Sequence, residues 1–364
     1  MSETLDPAKV TSHLSSHTEI TDPLASKVKP VVSVLMITYN HGPYIADAIQ
    51  GVLSQKTAFP VELIIGEDCS TDETREIVLD YQRRFPGSIR VILSNSNVGS
   101  AQNVKRVHEA ARGCYIALCE GDDLWTDNRK LQKQVDVMEC EPDCAMVCHA
   151  AEVLDVARGR VRARHHGRKP KTFSLEEVIV AQPRLMTTAS ILARRSVLAP
   201  IPIWLSDSEI GDYPFMILCA SRGKVVCLPD VMSLYRVNVP GSWTVRSAGV
   251  EARRRTVDSI LWMLDEFVRD AGKECRDAVR KAQRKVIMLR LYLNKNGHPD
   301  LPEEDRLRYK SYLTRCDKVI IALTKYYLPR RLVKIAFEVR EYLRRRLAGQ
   351  RAKTEGLATP QGNS

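Results

Sequence analysis

The chain has 364 residues, of which 44% are hydrophobic, and a formal net charge of +11 at pH 7. A chain of this length can bury a sizeable core in one large domain or two modest ones, and its ten cysteines lack the compact spacing of a small disulfide-stapled scaffold. The positive charge favours an anionic partner, meaning nucleic acid, anionic lipid or a phosphorylated substrate.

The N-terminal segment, residues 1–30, is polar and has none of the apolar core that a secretory signal requires. No apolar stretch elsewhere is long enough to span a bilayer. The cysteines are therefore predicted to be reduced thiols in a cytoplasmic protein. A cluster that could hold zinc contains Cys140, Cys144, Cys148 and His149, but a proline interrupts its register and no second pair follows at finger spacing. We do not expect a metal there.

From Val31 onward, apolar runs of strand length alternate with segments of helical periodicity. Strands are predicted in "VVSVLMITYN", "VELIIGED", "IRVILS" and "CYIALCEGDD". The second helix is predicted to open with a capping box of Ser70 and Glu73. A third helix is indicated by the spacing of Val104, Val107, His108 and Ala111. This order predicts an α/β fold, in which a mostly parallel, Rossmann-like sheet carries helices on both faces.

Polar residues directly after these strands are the candidate binding residues, because parallel sheets bind ligands beyond the carboxyl ends of their strands. No glycine-rich dinucleotide motif follows the first strand and no P-loop motif occurs, so a cation is expected to hold any phosphates. The adjacent Asp122 and Asp123 offer hard oxygen ligands for one. Taken singly, each aspartate could equally be a turn residue or a helix cap. The four strand ends are Thr38 to Asn40, Glu67 and Asp68, Ser94 and Asn95, and Asp122 and Asp123.

The segments "VSVLMITYNHGPYIADAIQGVLSQ", "ELIIGEDCSTDET" and "NSNVGSAQNVKRVHEAARGCYIALCEGDDLW" together resemble the nucleotide-binding half of the family 2 glycosyltransferases, which adopt the GT-A fold. The resemblance is continuous over residues 31–149 and extends through further signals to Thr244. It implies that Asp68 hydrogen-bonds the base of a nucleoside-diphosphate sugar, usually uracil, and that Asp122 lies near the ribose. Asp123 would bind a divalent metal, Mn²⁺ or Mg²⁺, that bridges the diphosphate.

The same resemblance implies a set of donor-site residues and a mode of action. Processive members carry a Gln-x-x-Arg-Trp motif and membrane helices, and this sequence has neither. We therefore expect transfer of a single sugar, in the synthesis of a polysaccharide, a lipopolysaccharide or a glycolipid. The predicted nucleotide-sugar-binding residues are Thr38, Tyr39, Asn40, Glu67, Asp68, Asn103 and Asp122.

The second half is expected to supply the catalytic base. A strand is predicted at Met186–Leu198, and a later helix is predicted to begin near Asp212, where the helix dipole would favour an ionised carboxylate. The resemblance implies that Asp212 is the general base of an inverting displacement. The family commonly has Glu-Asp at this place, whereas Gly211 stands here for the first acid. Asp207 and Glu209 are nearby alternatives.

Three further residues are candidate contacts for the sugar or the acceptor. Asn238 stands where related sequences often carry a histidine, Trp243 could stack on a sugar or be buried, and Glu209 precedes the catalytic position. Between the two halves, Ala157–Lys171 has seven basic side chains and no acid. This segment is either a solvated loop or part of the acceptor site.

The C-terminal region is expected to be a helical extension. Residues 330–353 carry nine basic and two acidic side chains, and an apolar stripe from Leu332 to Leu347 could lie on the anionic inner face of a membrane or pack on the body. The predicted regions are a polar extension at 1–30, a nucleotide-sugar-binding half at 31–150, an acceptor-binding half at 151–245, a helical region at 246–350 and a disordered tail at 351–364.

The predicted partners are thus a nucleoside-diphosphate sugar, of UDP type by preference, and a glycan or lipid-linked acceptor. Two other classes remain as alternatives. A catalytically silent nucleotide- or carbohydrate-binding module is disfavoured by the retention of Asp68, Asp122, Asp123 and Asp212. A nucleic-acid-binding protein is suggested by charge alone, without a recognition motif, and nucleic acid is not an expected partner.

Overall fold

The structure is a computed structural model that describes residues 17–21, 29–164, 166–181, 185–247, 249–289, 307–315, 317–318 and 321. The predicted amphipathic helix at 332–347 and the tail beyond it lie outside the described residues. Within the described part of the chain, no helix is both long and apolar enough to cross a membrane.

One mixed sheet forms the centre of the molecule, and the described residues contribute eleven strands to it in the order β1-β4-β3-β2-β5-β10-β7-β11-β6, with β8 on β7 and β9 on β11. Strands β4, β3, β2 and β5 run parallel, as do β7 and β11. The bounds are β1 His17–Ile20, β2 Val32–Thr38, β3 Val61–Glu67, β4 Ile89–Ser94, β5 Tyr115–Leu118, β6 Leu124–Trp125, β7 Cys144–Asp155, β8 Arg160–Arg164, β9 Lys171–Phe173, β10 Leu192–Arg194 and β11 Lys224–Val237.

Helices cover both faces of this sheet, because successive strand residues point to opposite faces and both sets are apolar. In β2, Val34 and Met36 pack in the core under α1 and α4, whereas Leu35 packs in the core under α3, α7 and α9. The helices are α1 Gly42–Leu53, α2 Thr74–Arg84, α3 Ser100–Glu109, α4 Lys130–Cys140, α5 Leu175–Ala181, α6 Ile203–Ser206, α7 Asp212–Arg222, α8 Trp243–Arg246, α9 Val250–Ala271 and α10 Arg276–Ile287. The predicted α/β fold, a central sheet with helices on both faces, is confirmed. The sheet is mixed rather than mostly parallel, because four of the ten described strand pairings are parallel and six are antiparallel.

One local prediction, the capping box of helix α2, is wrong. Helix α2 has no side-chain cap at Glu73 and begins at Thr74. The Asp72 carboxylate instead accepts the Thr74 amide at 3.0 Å, while the Ser70 hydroxyl accepts the Asn40 amide at 3.0 Å. The predicted third helix is confirmed as α3, in which Val107 is buried and Val104 is 41% exposed.

The predicted strand at Met186–Leu198 is also wrong over most of its length. Only Leu192–Arg194 forms a strand, and a short 3₁₀ helix lies on each side of it. The surrounding residues are apolar because they pack in the core rather than in a sheet ladder; Ala189 and Leu198, for example, are almost fully buried. A short apolar run alone does not distinguish these two environments.

Candidate active site

The carboxyl ends of β2 and β3 form the first part of the site. The Asp68 amide donates to the Thr38 carbonyl at 3.1 Å, which continues the ladder by one residue and holds Asp68 beside Thr38. The Asp68 carboxylate accepts the amides of Val98 and Gly99, each at 2.9 Å. A carboxylate has about four acceptor positions, so this carboxylate retains capacity for a ligand.

Asn40 gives the loop after β2 its shape. Its backbone is left-handed, with φ of 55°, a conformation that asparagine tolerates better than most residues. Its side-chain oxygen accepts the Thr71 amide at 2.8 Å, which ties the loop after β2 to the loop after β3. Tyr39 beside it is half-buried. Thr38, Tyr39, Asn40 and Asp68 therefore lie together, as the sequence predicts.

Glu67 and Asn103 are brought to the same edge but are held by the protein itself. Glu67 is fully buried and accepts the Arg75 side chain at 2.5 Å and the Ser70 amide at 2.6 Å. The Asn103 amide donates to the Gly66 carbonyl at 2.8 Å, and a Cβ on Gly66 would lie 2.3 Å from the Asn103 side-chain oxygen. These contacts favour a supporting role for both side chains behind the strand ends.

The loop after β5 brings the paired aspartates against β2. Gly121 donates its amide to the Ile37 carbonyl at 3.0 Å, and a Cβ there would lie 2.6 Å from Thr38 Oγ1 and 2.8 Å from His41 Nδ1. Only glycine fits this close approach. The turn closes when the Asp123 amide donates to the Glu120 carbonyl at 3.0 Å.

Asp123 is the most unusual carboxylate of the site. It is fully buried, and neither carboxylate oxygen has a hydrogen-bond partner among the described residues. Burial, followed by the charges of Asp122 and Glu120, raises the pKa of Asp123 well above its usual range, and the charge of Arg236 offsets this in part. A buried carboxylate without a partner is costly, so its geometry fits a cation that the chain does not itself provide.

Asp212, on a different element, faces the same acidic loop. Asp212 is half-buried at the start of α7 and accepts the amide of Tyr213 at 2.7 Å. Burial, then the charges of Asp122 and Asp212, raises the pKa of Glu120 to about 8. Burial and the charges of these carboxylates also raise the pKa of Tyr235, in β11, well above its usual value. The N-terminus of α7, the end of β11 and the loop after β5 therefore meet at one place.

Sequence reasoning did not select four residues of this site, namely Glu120, Tyr235, Arg236 and His41. Arg236 donates to the Asp122 carbonyl at 3.1 Å and pairs with Asp47 of α1 at 3.0 Å. His41 Nε2 lies 3.9 Å from Asp122 Oδ2. Burial lowers the pKa of His41, although the charge of Asp122 opposes that shift. Glu120 and His41 lie within the quoted motifs, close to Asp122 and Asn40, so their proximity in sequence was a usable signal. Tyr235 and Arg236 are distant in sequence from both motifs.

The remaining candidates contact groups other than Glu120, Asp122, Asp123 and Asp212, or have a side chain outside the described residues. Asn238 has φ of 61°, and its amide donates to Asp155 at the end of β7 at 3.0 Å. Glu209 is exposed, and its backbone amide donates to Ser259 in α9 at 3.1 Å. Asp207 is also exposed and accepts the Ser206 hydroxyl at 2.7 Å. Trp243 begins α8, but its side chain lies outside the described part of the chain.

Metal sites built entirely from protein ligands are not found: within the described residues, no group of three or more His, Cys, Asp or Glu side chains is arranged to hold an ion. The Cys140, Cys144, Cys148 and His149 cluster is included in that statement. Cys144, Cys148 and His149 are buried along β7, whereas Cys140 is exposed at the end of α4. The nine described cysteines are free thiols.

Residues 33–199 match the family model described as glycosyl transferase family 2. This segment of the chain belongs to glycosyl transferase family 2. Among curated proteins, the uncharacterized protein Rv1520 of Mycobacterium tuberculosis is 35% identical over 221 residues, which are 58% of this chain and 60% of Rv1520. The chain thus spans about three fifths of the length of the first curated relatives that it matches.

Solved glycosyltransferase structures share the fold. Residues 1–349 of S. aureus TarS in complex with UDP-GlcNAc superimpose with a TM-score of 0.59 at 16% identity, over 78% of this chain and 79% of that chain. The mannosyltransferase PcManGT from Pyrobaculum calidifontis, in complex with GDP-Man and Mn²⁺, gives a TM-score of 0.50 at 16% identity, over 84% of this chain and 83% of that chain. The chain described here has the GT-A fold.

Proposed function

We propose that this protein is an inverting, non-processive glycosyltransferase that moves one sugar from a nucleoside-diphosphate sugar to an acceptor hydroxyl. The observation that carries the proposal is the convergence of Glu120, Asp122, Asp123 and Asp212 at the carboxyl ends of the sheet. One side of this cluster adjoins the pocket of Thr38 and Asp68, and family 2 membership supports the assignment.

The donor would lie along the strand ends of β2, β3 and β5. Asp68 would accept a hydrogen bond from the base, and Thr38, Tyr39 and Asn40 would surround the nucleoside. Asp122, beside His41, would face the ribose. The complexes of TarS with UDP-GlcNAc and of PcManGT with GDP-Man support a nucleotide sugar, and a UDP sugar is our preference.

A divalent cation fits the donor site at Asp123, with Asp122 close by. Both Asp123 oxygens lack partners among the described residues, and carboxylate oxygens are the ligands that Mn²⁺ and Mg²⁺ prefer. Within the described residues, no three His, Cys, Asp or Glu side chains are grouped to bind an ion. The diphosphate and water would therefore complete the coordination of the cation. Such a cation supplies positive charge to the departing diphosphate. Asp123 is fully buried, so neighbouring side chains must move apart to admit it.

Asp212 would act as the general base. An acceptor hydroxyl is a poor nucleophile at neutral pH, and a carboxylate that takes its proton in the transition state lowers the barrier. The acceptor oxygen then bonds to the anomeric carbon as the bond from that carbon to the diphosphate oxygen breaks, and the electron pair leaves with the diphosphate. Attack from the opposite side inverts the anomeric centre. Asp212 is better placed than the exposed Asp207 and Glu209, because it faces the carboxylates of the donor site.

A screen of nucleotide sugars tests this function. Thermal stabilisation by UDP, GDP and their sugars, with and without Mn²⁺, should show one preferred donor whose effect needs the metal. Product analysis with that donor should show one sugar transferred per acceptor, with the anomeric configuration inverted. Donor binding without transfer or hydrolysis would instead favour a catalytically silent module, an alternative consistent with Gly211 and Asn238 at two positions where the family commonly has other residues.

A further inference from the structure

A hairpin rich in arginine extends from the sheet beside the candidate active site. Strand β7 ends at Asp155, the chain turns through Val156 to Gly159, and β8 returns along β7 from Arg160 to Arg164. Gly159, with φ of 59°, supplies the left-handed turn residue. The basic segment that the sequence singled out is therefore, in its first half, an ordered strand rather than a loop.

The register of three strands places the arginines on the face that carries Tyr235. In the ladders, Arg162 is opposite Val153, and Val153 is opposite Tyr235. Arg160 is likewise opposite Asp155, and Asp155 is opposite Val237. Residues opposite one another in a sheet share a face, and two strand spacings separate β8 from β11 by about 10 Å.

The same hairpin is fastened to the strand that carries Tyr235. The Asn238 amide donates to Asp155 Oδ1 at 3.0 Å, and Arg158 pairs with Asp155 Oδ2 at 2.7 Å. Both oxygens of Asp155 are thus engaged by other groups. The position of Arg160 and Arg162 relative to the carboxylate cluster is therefore fixed by ordered backbone and by a side-chain contact.

No carboxylate among the described residues forms an ion pair with Arg160 or Arg162, and both side chains are exposed. The one other acid of the hairpin strands, Glu152, is opposite Ala163 and so points to the other face. The two guanidinium groups are available to an external anion and are planar donors suited to phosphate, sulfate or carboxylate groups.

We propose that Arg160 and Arg162 form an acceptor subsite that recognises an anionic group on the glycan, two strand spacings, or about 10 Å, from the strand that carries Tyr235. This inference rests on the proposed glycosyltransferase function. It assigns the acceptor to a chemical class, an acidic glycan that bears phosphate, sulfate or carboxylate groups. An acidic glycan fits better than a membrane surface because the arginines share the face of Tyr235 and the catalytic carboxylates, where an acceptor must lie.

The test compares two variants that lose equal charge. In Arg160→Gln/Arg162→Gln the hairpin loses its exposed pair, and in Arg276→Gln/Arg280→Gln helix α10 loses two exposed arginines. Calorimetry with UDP and Mn²⁺ present would measure binding of a heparin-derived hexasaccharide as the anionic probe and of maltohexaose as the neutral probe. The wild type should prefer the anionic probe, and the hairpin variant should bind it about tenfold more weakly, as expected for two exposed charge contacts. The α10 variant should bind like the wild type.

Three outcomes would overturn the inference: equal weakening in both variants, no weakening in the hairpin variant, or equal binding of the two oligosaccharides by the wild type. Co-sedimentation with phosphatidylcholine–phosphatidylglycerol vesicles is a further arm. If the hairpin substitutions reduce vesicle binding as strongly as hexasaccharide binding, the hairpin is a membrane contact and the inference is wrong. Thermal stabilisation by UDP, measured for the wild type and both variants, separates the acceptor inference from the proposed donor site. If UDP does not stabilise the wild type, the donor site is contradicted, and the hexasaccharide measurement still tests the arginine hairpin.

Discussion

Two buried carboxylates at opposite ends of the parallel strands, Glu62 and Asp123, differ in whether the protein supplies hydrogen-bond and ion-pair partners for them. Glu62, near the start of β3, accepts the Ser33 hydroxyl at 2.6 Å and pairs with Arg112 at 2.7 Å and Arg90 at 3.0 Å. Burial alone would raise the pKa of Glu62, but these hydrogen bonds outweigh it and lower that pKa. Asp123, beyond the end of β5, is equally buried, has no such partners among the described residues, and has a raised pKa.

This difference indicates that Glu62 stabilises the fold, whereas Asp123 is suited to bind an external ligand. At the amino ends of the strands, the chain supplies its own cations and hydroxyl groups, so the charge is satisfied within the protein. At the carboxyl ends, several carboxylates converge with few compensating charges, which is unfavourable until an external cation arrives. Strained electrostatics of this kind are typical of functional sites.

The largest effect on stability is expected from Glu62→Ala. Removal of this carboxylate takes away the buried acceptor that Arg90 and Arg112 share, although Arg90 keeps its ion pair with Glu19. The free energy of unfolding should fall by about 3 kcal/mol, the lower range for breaking a buried pair. Denaturant unfolding measures it. The control is Asp80→Ala, which removes the partner of the exposed Arg83 and Arg84 and should cost less than about 1 kcal/mol. Equal losses in the two variants would contradict the buried network.

Asp212→Asn should have the largest effect on catalysis. The amide keeps the shape of the side chain but cannot take a proton, so transfer should fall by at least about 10²-fold, while donor affinity stays nearly unchanged. Steady-state kinetics and calorimetry with the donor measure the two quantities. Glu209→Gln, at an exposed acid nearby, is the matched control and should be active. Normal turnover in Asp212→Asn would exclude it as the base, and loss of donor binding would make its role structural.

Asp123→Asn should weaken ligand binding without lowering stability, which is the opposite of the loss of stability expected for Glu62→Ala. We expect affinity for a nucleoside diphosphate in the presence of Mn²⁺ to drop by at least about tenfold, equivalent to about 1.4 kcal/mol, because a metal ligand is lost. Stability without metal should not fall, because the substitution removes a repelled buried charge. Calorimetry and denaturant unfolding on one preparation give both results. If the variant binds as the wild type does, the cation is held elsewhere.

The smallest effect concerns His149, a third buried ionisable group, on β7. Burial, followed by the charge of Lys130, lowers the pKa of His149 to about 3. Because the unfolded chain takes up a proton near pH 6.5 and the folded chain does not, stability should be complete above that pH and decline below it. Between about pH 8 and about pH 5.5 the wild type should lose about 1.4 kcal/mol more than His149→Gln. The prediction would be contradicted if the free energies of unfolding of the two proteins changed with pH in the same way, because His149 would then be protonated in the folded chain as readily as in the unfolded chain.

The sequence was most informative where neighbours along the chain carry the signal. The apolar run in "VSVLMIT" predicts a strand that is buried on both faces, and the structure confirms it in β2. The same local pattern failed at Met186–Leu198, where apolar residues pack without a ladder. The capping box failed because Asp72, two residues closer to the helix, accepts the Thr74 amide, while Ser70 accepts the Asn40 amide from another loop.

Within the site, the sequence determined which residues stand at the strand ends, since a parallel sheet carries the ends of its strands to one edge whatever their separation in the chain. That rule and the family resemblance were sufficient to predict the positions of Thr38, Asp68, Asp122 and Asp123. Which of the carboxylates are neutralised was decided by the tertiary structure. Glu67 meets Arg75. Glu120 meets no such cation among the described residues and faces Asp212 instead.

Tyr235, Arg236 and the arginine hairpin were likewise decided only by the tertiary structure. Their places depend on the register among β6, β7, β8 and β11. Strands β7 and β8 are joined by a short turn, but a long stretch of chain separates β8 from β11. Register is set by packing on both faces of the whole sheet, and a shift by one residue would turn Tyr235 and Arg162 to the opposite face. Local sequence does not specify that choice, because the energy that fixes it is distributed over residues that meet only when the sheet is complete.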